Sequence, residues 1–188
     1  MPDTASTAER DRVMTESQAG EMGPAGQAGL TSAGQADPTT AAYLARRGVS
    51  VQWRGFLRAL VETLDAHLDT AGRTALMRII GRRMADAMPL PHCDTLGGLE
   101  AQINDALAAT EWGFCRLSVD LPGCRLLVTH AAAPVIGAGE DVEGAWIAAV
   151  LEGLYGGWLA EQPGADAAIA VAVAHYAPGE VRLRYGKA

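Results

Sequence analysis

Residues 145–162, AWIAAVLEGLYGGWLAEQ, constrain the fold of this chain more than any other stretch. Trp146, Val150, Leu154 and Trp158 recur at helical spacing, and Leu151, Tyr155 and Leu159 widen the stripe, so the segment reads as one buried helix. Gly153, Gly156 and Gly157 are set into it. Each costs a helix interior roughly 0.5–1 kcal/mol relative to alanine, so their missing side chains are expected to be in use. Ala145, Ala149, Gly153 and Gly157 fall every four residues and make a ridge against which another backbone can lie closely. Trp146, Gly153, Tyr155, Gly157 and Trp158 are therefore candidate packing or assembly residues. A functional pocket beside the glycines is the competing reading.

The remaining chain supplies what such a helix would pack against. Ser50 is a candidate N-cap for a helix over 51–69, in which Trp53, Phe56, Leu57, Leu60, Val61, Leu64 and Leu68 share one expected buried face. His67, near its end, reads as a solvated or capping residue. Gly72 is expected to break the chain before a second helix over 73–88, carried by Leu76, Met77, Ile79, Ile80, Met84 and Met88. Arg73, Arg78, Arg82 and Arg83 give that helix a basic face, either a solvated flank paired with acids or a contact for an anionic partner or another subunit. Pro89 and Pro91 end it. Thr95 then caps a third helix over 96–110, built on Leu96, Leu99, Ile103 and Leu107.

Alternation next switches to period two. Residues 114–121 place Cys115, Leu117, Val119 and Leu121 on one face, and Pro122–Gly123 turns the chain into a second strand over 124–130. His130 is expected to be exposed at the strand end. Across 131–144, Glu140, Asp141 and Glu143 precede the glycine-bearing helix, where the positive end of its dipole favours carboxylates. Strands over 167–176 and 180–185, joined by Pro178–Gly179, complete the series. The order is three helices, an antiparallel hairpin, the Gly-rich helix and a second hairpin, an α+β fold with helices covering a four-stranded antiparallel sheet.

Several functions are disfavoured. A net charge of -7 opposes a nucleic-acid partner. The best apolar run is interrupted by Glu152, so no membrane-spanning segment is expected. Cys93, Cys115 and Cys124 have neither an even count nor zinc-knuckle spacing and read as free thiols in a cytoplasmic protein. No cofactor or metal is expected. Gly97–Gly98 lacks the lysine and the preceding strand of a phosphate loop. His92 beside Cys93 superficially resembles a base with its nucleophile, yet adjacent side chains point apart and no orienting acid is evident. Residues 1–48 are rich in Ala, Gly, Thr, Ser and Gln, contain the near-repeat AGQAG and AGQAD, and read as a disordered tail ahead of a domain over 49–188. A short helical lead-in is expected at 43–47.

The segment WIAAVLEGLYGGWLAEQPGA resembles the corresponding WLxPVLEGLYGxW run of the D subunit of bacterial cellulose synthase, which follows a long Gly-rich loop in that family. Gly81–Arg82–Arg83–Met84, the Met88–Pro89 to Cys93 linker and the Trp112–Gly113 pair agree with it. The likeness spans about Trp53 to Tyr185. Two positions depart from the pattern: Ala149 stands for the family's proline and Gly157 for its arginine. The resemblance implies a non-catalytic accessory subunit, a homo-octamer of stacked dimers forming a ring that guides glucan chains or organises synthase complexes in a row. Its implied partners are the other components of the synthase complex, nascent glucan or another scaffold protein. It also points to the approach to the first helix, Val51, Gln52, Trp53 and Arg54, as a glucan-contact region. Trp53 could supply an exposed aromatic there, as could Tyr43, although its helical spacing assigns Trp53 to the core. A cytoplasmic site at the inner membrane is the expected location. The element order also looks like the small-molecule-binding fold of 4-vinyl reductase domains, in which the glycines would border a buried apolar pocket.

Overall fold

The computed structural model describes residues 48–166 and 168–186, so the expected tail and the lead-in at 43–47, with Tyr43, lie outside the described residues. Helix α1, Val51–His67, starts where Ser50 Oγ accepts the Trp53 amide at 3.4 Å. The break expected at Gly72 does not occur. Asp69 Oδ1 accepts the Gly72 amide at 2.7 Å and caps α2, Thr70–Ala87, so Gly72 lies inside the first turn. Helix α3, Leu96–Ala109, is capped by Thr95 as expected.

Strands β1, Phe114–Asp120, and β2, Arg125–Ala131, form the first hairpin. Helix α4, Trp146–Ala160, is the glycine-bearing segment, followed by β3, Val171–Ala177, and β4, Glu180–Tyr185. β3 begins later than the sequence suggested, while β4 has the expected bounds. The four strands form one antiparallel sheet in the order β1-β2-β4-β3. The chain leaves β2, forms α4 across the sheet, reaches the far edge at β3 and turns inward to seat β4 against β2. Two hairpins thereby become one sheet.

Helix α4 is buried on nearly every side: Val150, Leu151, Leu154, Tyr155 and Trp158 belong to the core it shares with α2, α3 and the sheet. The acids before it act through one member. Asp141 accepts the amide of Ala145 at 2.9 Å through Oδ1 and that of Trp146 at 3.0 Å through Oδ2. A carboxylate on two otherwise unsatisfied helix-start donors should stabilise by about 1 kcal/mol. Asp141→Ala is expected to lower unfolding stability by that order in a urea titration, with Glu140→Ala nearly silent.

Two expected faces are only partly covered. On β1, Cys115 and Leu117 are buried but Val119 and Leu121 are 53% and 77% exposed. The cover comes from α3: Asn104 bonds the amide and carbonyl of Cys115, and Glu100 Oε2 accepts the Leu117 amide at 2.6 Å. Those contacts blunt this sheet edge, and α3 ends before it can shield the rest of the strand. On α2, Met77 is buried but Ile79 and Ile80 are exposed.

Candidate functional site

The ridge on α4 meets α2. A Cβ at Gly153 would lie 2.0 Å from the Arg78 carbonyl oxygen, and a Cβ at Gly81 would lie 1.9 Å from the Val150 carbonyl oxygen, both far inside van der Waals contact. At Gly157 it would lie 2.6 Å from Ala85 Cβ. Gly81 and Ala85 on one helix thus interlock with Gly153 and Gly157 on the other, and backbone touches backbone. Gly156 differs, because among the described residues a Cβ there meets nothing within 4 Å. Beside the seam, the buried Glu152 carboxylate receives Arg78 Nε at 2.5 Å, an ion pair that offsets the cost of burying the one charge of α4. The glycines therefore do not border a buried apolar pocket, as the 4-vinyl reductase-like reading required. Gly153 and Gly157 face a helix, and Gly156 faces an open groove.

The aromatic candidates on α4 anchor three different loops or strands. Trp146 Nε1 donates to the Ile136 carbonyl at 2.8 Å, and Trp158 Nε1 donates to the Met88 carbonyl at 2.9 Å. Tyr155, wholly buried, lies edge-on to Trp158 with ring centres 5.7 Å apart and reaches His130 Nδ1 with its hydroxyl at 2.8 Å. His130 is accordingly not exposed. It is fully buried on β2, with Nε2 2.9 Å from the Trp112 carbonyl.

A carbonyl only accepts, so Nε2 carries the ring proton and Nδ1 accepts from Tyr155. Gly113 lets Trp112 reach this position: its φ is +95°, and a side chain there would strike the Ala131 carbonyl. Desolvation lowers the His130 pKa from 6.5 to about 4, against the smaller opposing pull of the Trp112 carbonyl. Burial also raises the Tyr155 pKa and pushes Cys115, hydrogen-bonded to Tyr155, up to about 11. The three groups stay neutral near pH 7, and the cluster ties sheet to helix without a reactive ion.

Helix α1 presents the largest departure from its expected burial. Only Val61 of its apolar face is buried, while Leu57 and Leu64 are half-buried. Trp53 and Phe56 are 57% and 56% exposed, and their rings meet edge to face at 5.6 Å. Trp53 is thus a surface residue, not a core one. Val51 and Gln52 are also exposed, and Arg54 turns back to the Val49 carbonyl at 3.2 Å. The helix is moored to the loop before α4: Arg58 Nε donates to the Gly137 carbonyl at 3.1 Å and Glu62 Oε1 accepts the Gly139 amide at 3.2 Å. Beneath it lies an apolar cleft of about 340 Å³, lined by Trp53, Leu57, Val61, Met77, Trp146 and Val150 among others. Trp53 and Trp146, singled out in two separate sequence groups, therefore line one cleft, whereas Gly153, Tyr155, Gly157 and Trp158 lie in the interior.

Other candidates come apart. Cys93 donates its thiol to the Pro91 carbonyl at 3.4 Å, its amide is held by Gln162, and no hydrogen bond links it to His92. On the basic face of α2, Arg73 pairs with Asp65 and Arg78 with Glu152, leaving Arg82 and Arg83 without a carboxylate partner among the described residues. Among the described residues no three His, Cys, Asp or Glu side chains group as metal ligands, and no helix is long and apolar enough to cross a membrane. Sequence reasoning missed His130 and Phe56. The signal for His130 was its inward parity with Val128 on β2; for Phe56 there was none, since its spacing is that of a core residue.

The chain matches the family described as the D subunit of cellulose synthase over residues 39–186. It is similar to the cellulose synthase operon protein D of Komagataeibacter xylinus and to that of Komagataeibacter sucrofermentans. Each is 36% identical over 110 residues, covering 58% of this chain and 70% of the relative. A further protein of that name from Komagataeibacter xylinus is 34% identical over the same extent.

Proposed function

The chain belongs to the family of cellulose synthase D subunits, and from that premise we propose that it serves cellulose synthesis as a non-catalytic accessory subunit. In this reading it assembles with copies of itself into a ring, an octamer of stacked dimers. The ring organises synthase complexes or guides glucan chains so that cellulose is laid down in order. The observation that carries the assembly step is the apolar face of α1, which no described element covers. Trp53 and Phe56 project beside an apolar cleft on the same patch, and large exposed apolar surface marks interaction sites. A two-fold axis through that patch would seat each copy's aromatic pair against the other's cleft.

Trp53, with Val51, Gln52 and Arg54 around it, is also where a glucan would be met, because an exposed indole offers a flat face to a pyranose ring. The unpaired thiols of Cys93, Cys115 and Cys124 suit a reducing, cytoplasmic setting beside the inner membrane.

Trp53→Glu combined with Phe56→Glu tests the reading, since both side chains are exposed and their loss spares the core. The variant is expected to keep its circular dichroism spectrum while light scattering shows a smaller species than wild type. In a deletion host, wild type is expected to restore cellulose yield and crystallinity and the variant to fail. Cellulose unchanged by the deletion itself would overturn the functional reading, and an undiminished assembly in the variant would overturn the interface.

A further inference from the structure

The sheet has a second face. Alternation sends Cys115, Leu117, Val128, Val181 and Leu183 into the core, so the residues between them point the other way. Register lines up the outward residues in rows across the strands. Arg116 stands opposite Thr129, Thr129 opposite Arg182, and Arg182 opposite His175. Arg184 follows two residues along β4 on the same face. Arg116, Arg182 and His175 are exposed and Arg184 is half-buried.

This face has the opposite sign to the chain that carries it. The whole sequence has a net charge of -7. The outward strand residues nevertheless set Arg116, Arg125, Arg182 and Arg184 against only Asp120 and Glu180. Both acids are used within the face, Asp120 by Arg125 at 3.4 Å and Glu180 by Arg182 at 2.8 Å. Arg116 and Arg184 remain as surplus positive charge. Strand spacing sets neighbouring arginines of the face about 7–10 Å apart, a spread of charge and not a single anion pocket.

The flanks say what such a surface meets. Large apolar side chains stand exposed at both ends of β1. Phe114, in the outward row beside Arg116, is 56% exposed, and Leu121, at the turn that follows, is 77% exposed. A sheet face is broad and has no cleft to grip one chain, so its charges suit another broad surface. Guanidinium groups pair with phosphates, and apolar side chains beside them reach below a headgroup layer. We infer that this face docks the protein on an anionic bilayer, with Arg116 and Arg184 on lipid phosphates and Phe114 and Leu121 entering the interface. Because the chain as a whole is repelled by a negative surface, binding requires this face to turn toward it. The inference deepens the placement beside the inner membrane proposed above and makes no use of α1.

Sedimentation of the full-length chain with vesicles tests it, comparing equal parts phosphatidylcholine and phosphatidylglycerol with phosphatidylcholine alone. Capture by the anionic vesicles only is expected. It should weaken as salt rises from about 0.1 M to about 1 M, where the screening length shrinks from about 10 Å to about 3 Å. Arg116→Glu combined with Arg184→Glu should lower partitioning on the order of tenfold or more, and Gln at both positions by less. Arg82→Glu combined with Arg83→Glu makes the same change in net charge on exposed residues of α2 and should retain most of the binding. Circular dichroism checks that each chain folds. No capture, equal capture by neutral vesicles, undiminished capture of the Arg116/Arg184 variants or an equal loss from the α2 pair would overturn the proposal. So would soluble polyglutamate binding as tightly as the vesicles, which would give the face to an acidic protein. The assay reads neither assembly nor cellulose, so its failure is distinct from failure of the accessory-subunit reading.

Discussion

Alanine at Gly153 is expected to unfold the chain or nearly so, while alanine three residues later, at Gly156, leaves it slightly more stable. Both changes add one methyl group to the same helix, and both should gain about 0.5–1 kcal/mol of helix propensity. Their surroundings differ. The Gly153 methyl would occupy space held by the Arg78 carbonyl, which belongs to a helix backbone and cannot rotate aside. Separating α2 from α4 would also strain the Arg78–Glu152 pair and the reciprocal contact of Gly81 with the Val150 carbonyl. Overpacking of this kind costs about 3 kcal/mol and can exceed it where backbone must move. Against the total stability of about 5–15 kcal/mol usual for a domain, that is a large share. Urea unfolding of the two variants side by side gives the comparison, and equal midpoints would refute the seam.

Acid should destabilise the fold through His130. Its pKa is lowered from 6.5 to about 4 on folding, so between those values the unfolded chain binds the proton that the folded chain refuses. Stability contributed by the neutral ring is therefore complete above pH 6.5 and is lost as pH falls through that window. The loss levels off once the folded ring also protonates, near pH 4. The full difference corresponds to roughly 3 kcal/mol. Protonation would put a hydrogen on Nδ1, where Tyr155 now donates, and leave the hydroxyl opposed to an N–H. Unfolding free energy measured across this range should fall with decreasing pH, and a His130→Gln chain, less stable overall, should show a shallower slope. An identical slope in the two chains would remove His130 as the cause.

Local features were legible in the sequence wherever they depend on neighbours a few residues apart. Ser50 and Thr95 cap as their side chains predict, because a cap is satisfied within its own turn. The β1–β2 hairpin and β4 follow from period-two alternation with turn residues between. The ridge Ala145, Ala149, Gly153 and Gly157 could be recognised as a place for a close backbone, and helix capping by an acid before α4 could be anticipated. Gly72 misled because a glycine in a helix's first turn looks, in isolation, like a break; the deciding group was Asp69.

What lay across each face was a different matter. Spacing places Trp53, Phe56 and Leu60 on one side of α1, and Cys115, Leu117, Val119 and Leu121 on one side of β1. It does not say how far the covering element extends. α3 stops short of Val119, and no described element covers Trp53 and Phe56 on α1, so apolar faces were left open where burial was expected. His130 shows the converse. A polar residue at a strand end became interior because Tyr155 from α4 and the Trp112 carbonyl converge on its two nitrogens.

The sequence by itself determined the element order, the Ser50 and Thr95 caps, the glycine ridge and the family. Only the tertiary structure decided that α2 fills the ridge at Gly153 and Gly157 and does not reach Gly156, and that no described element covers the aromatic face of α1. The physical reason is range. Periodicity and capping are set within a turn or two of chain, whereas burial is set by which distant segment arrives, and nothing local encodes its length.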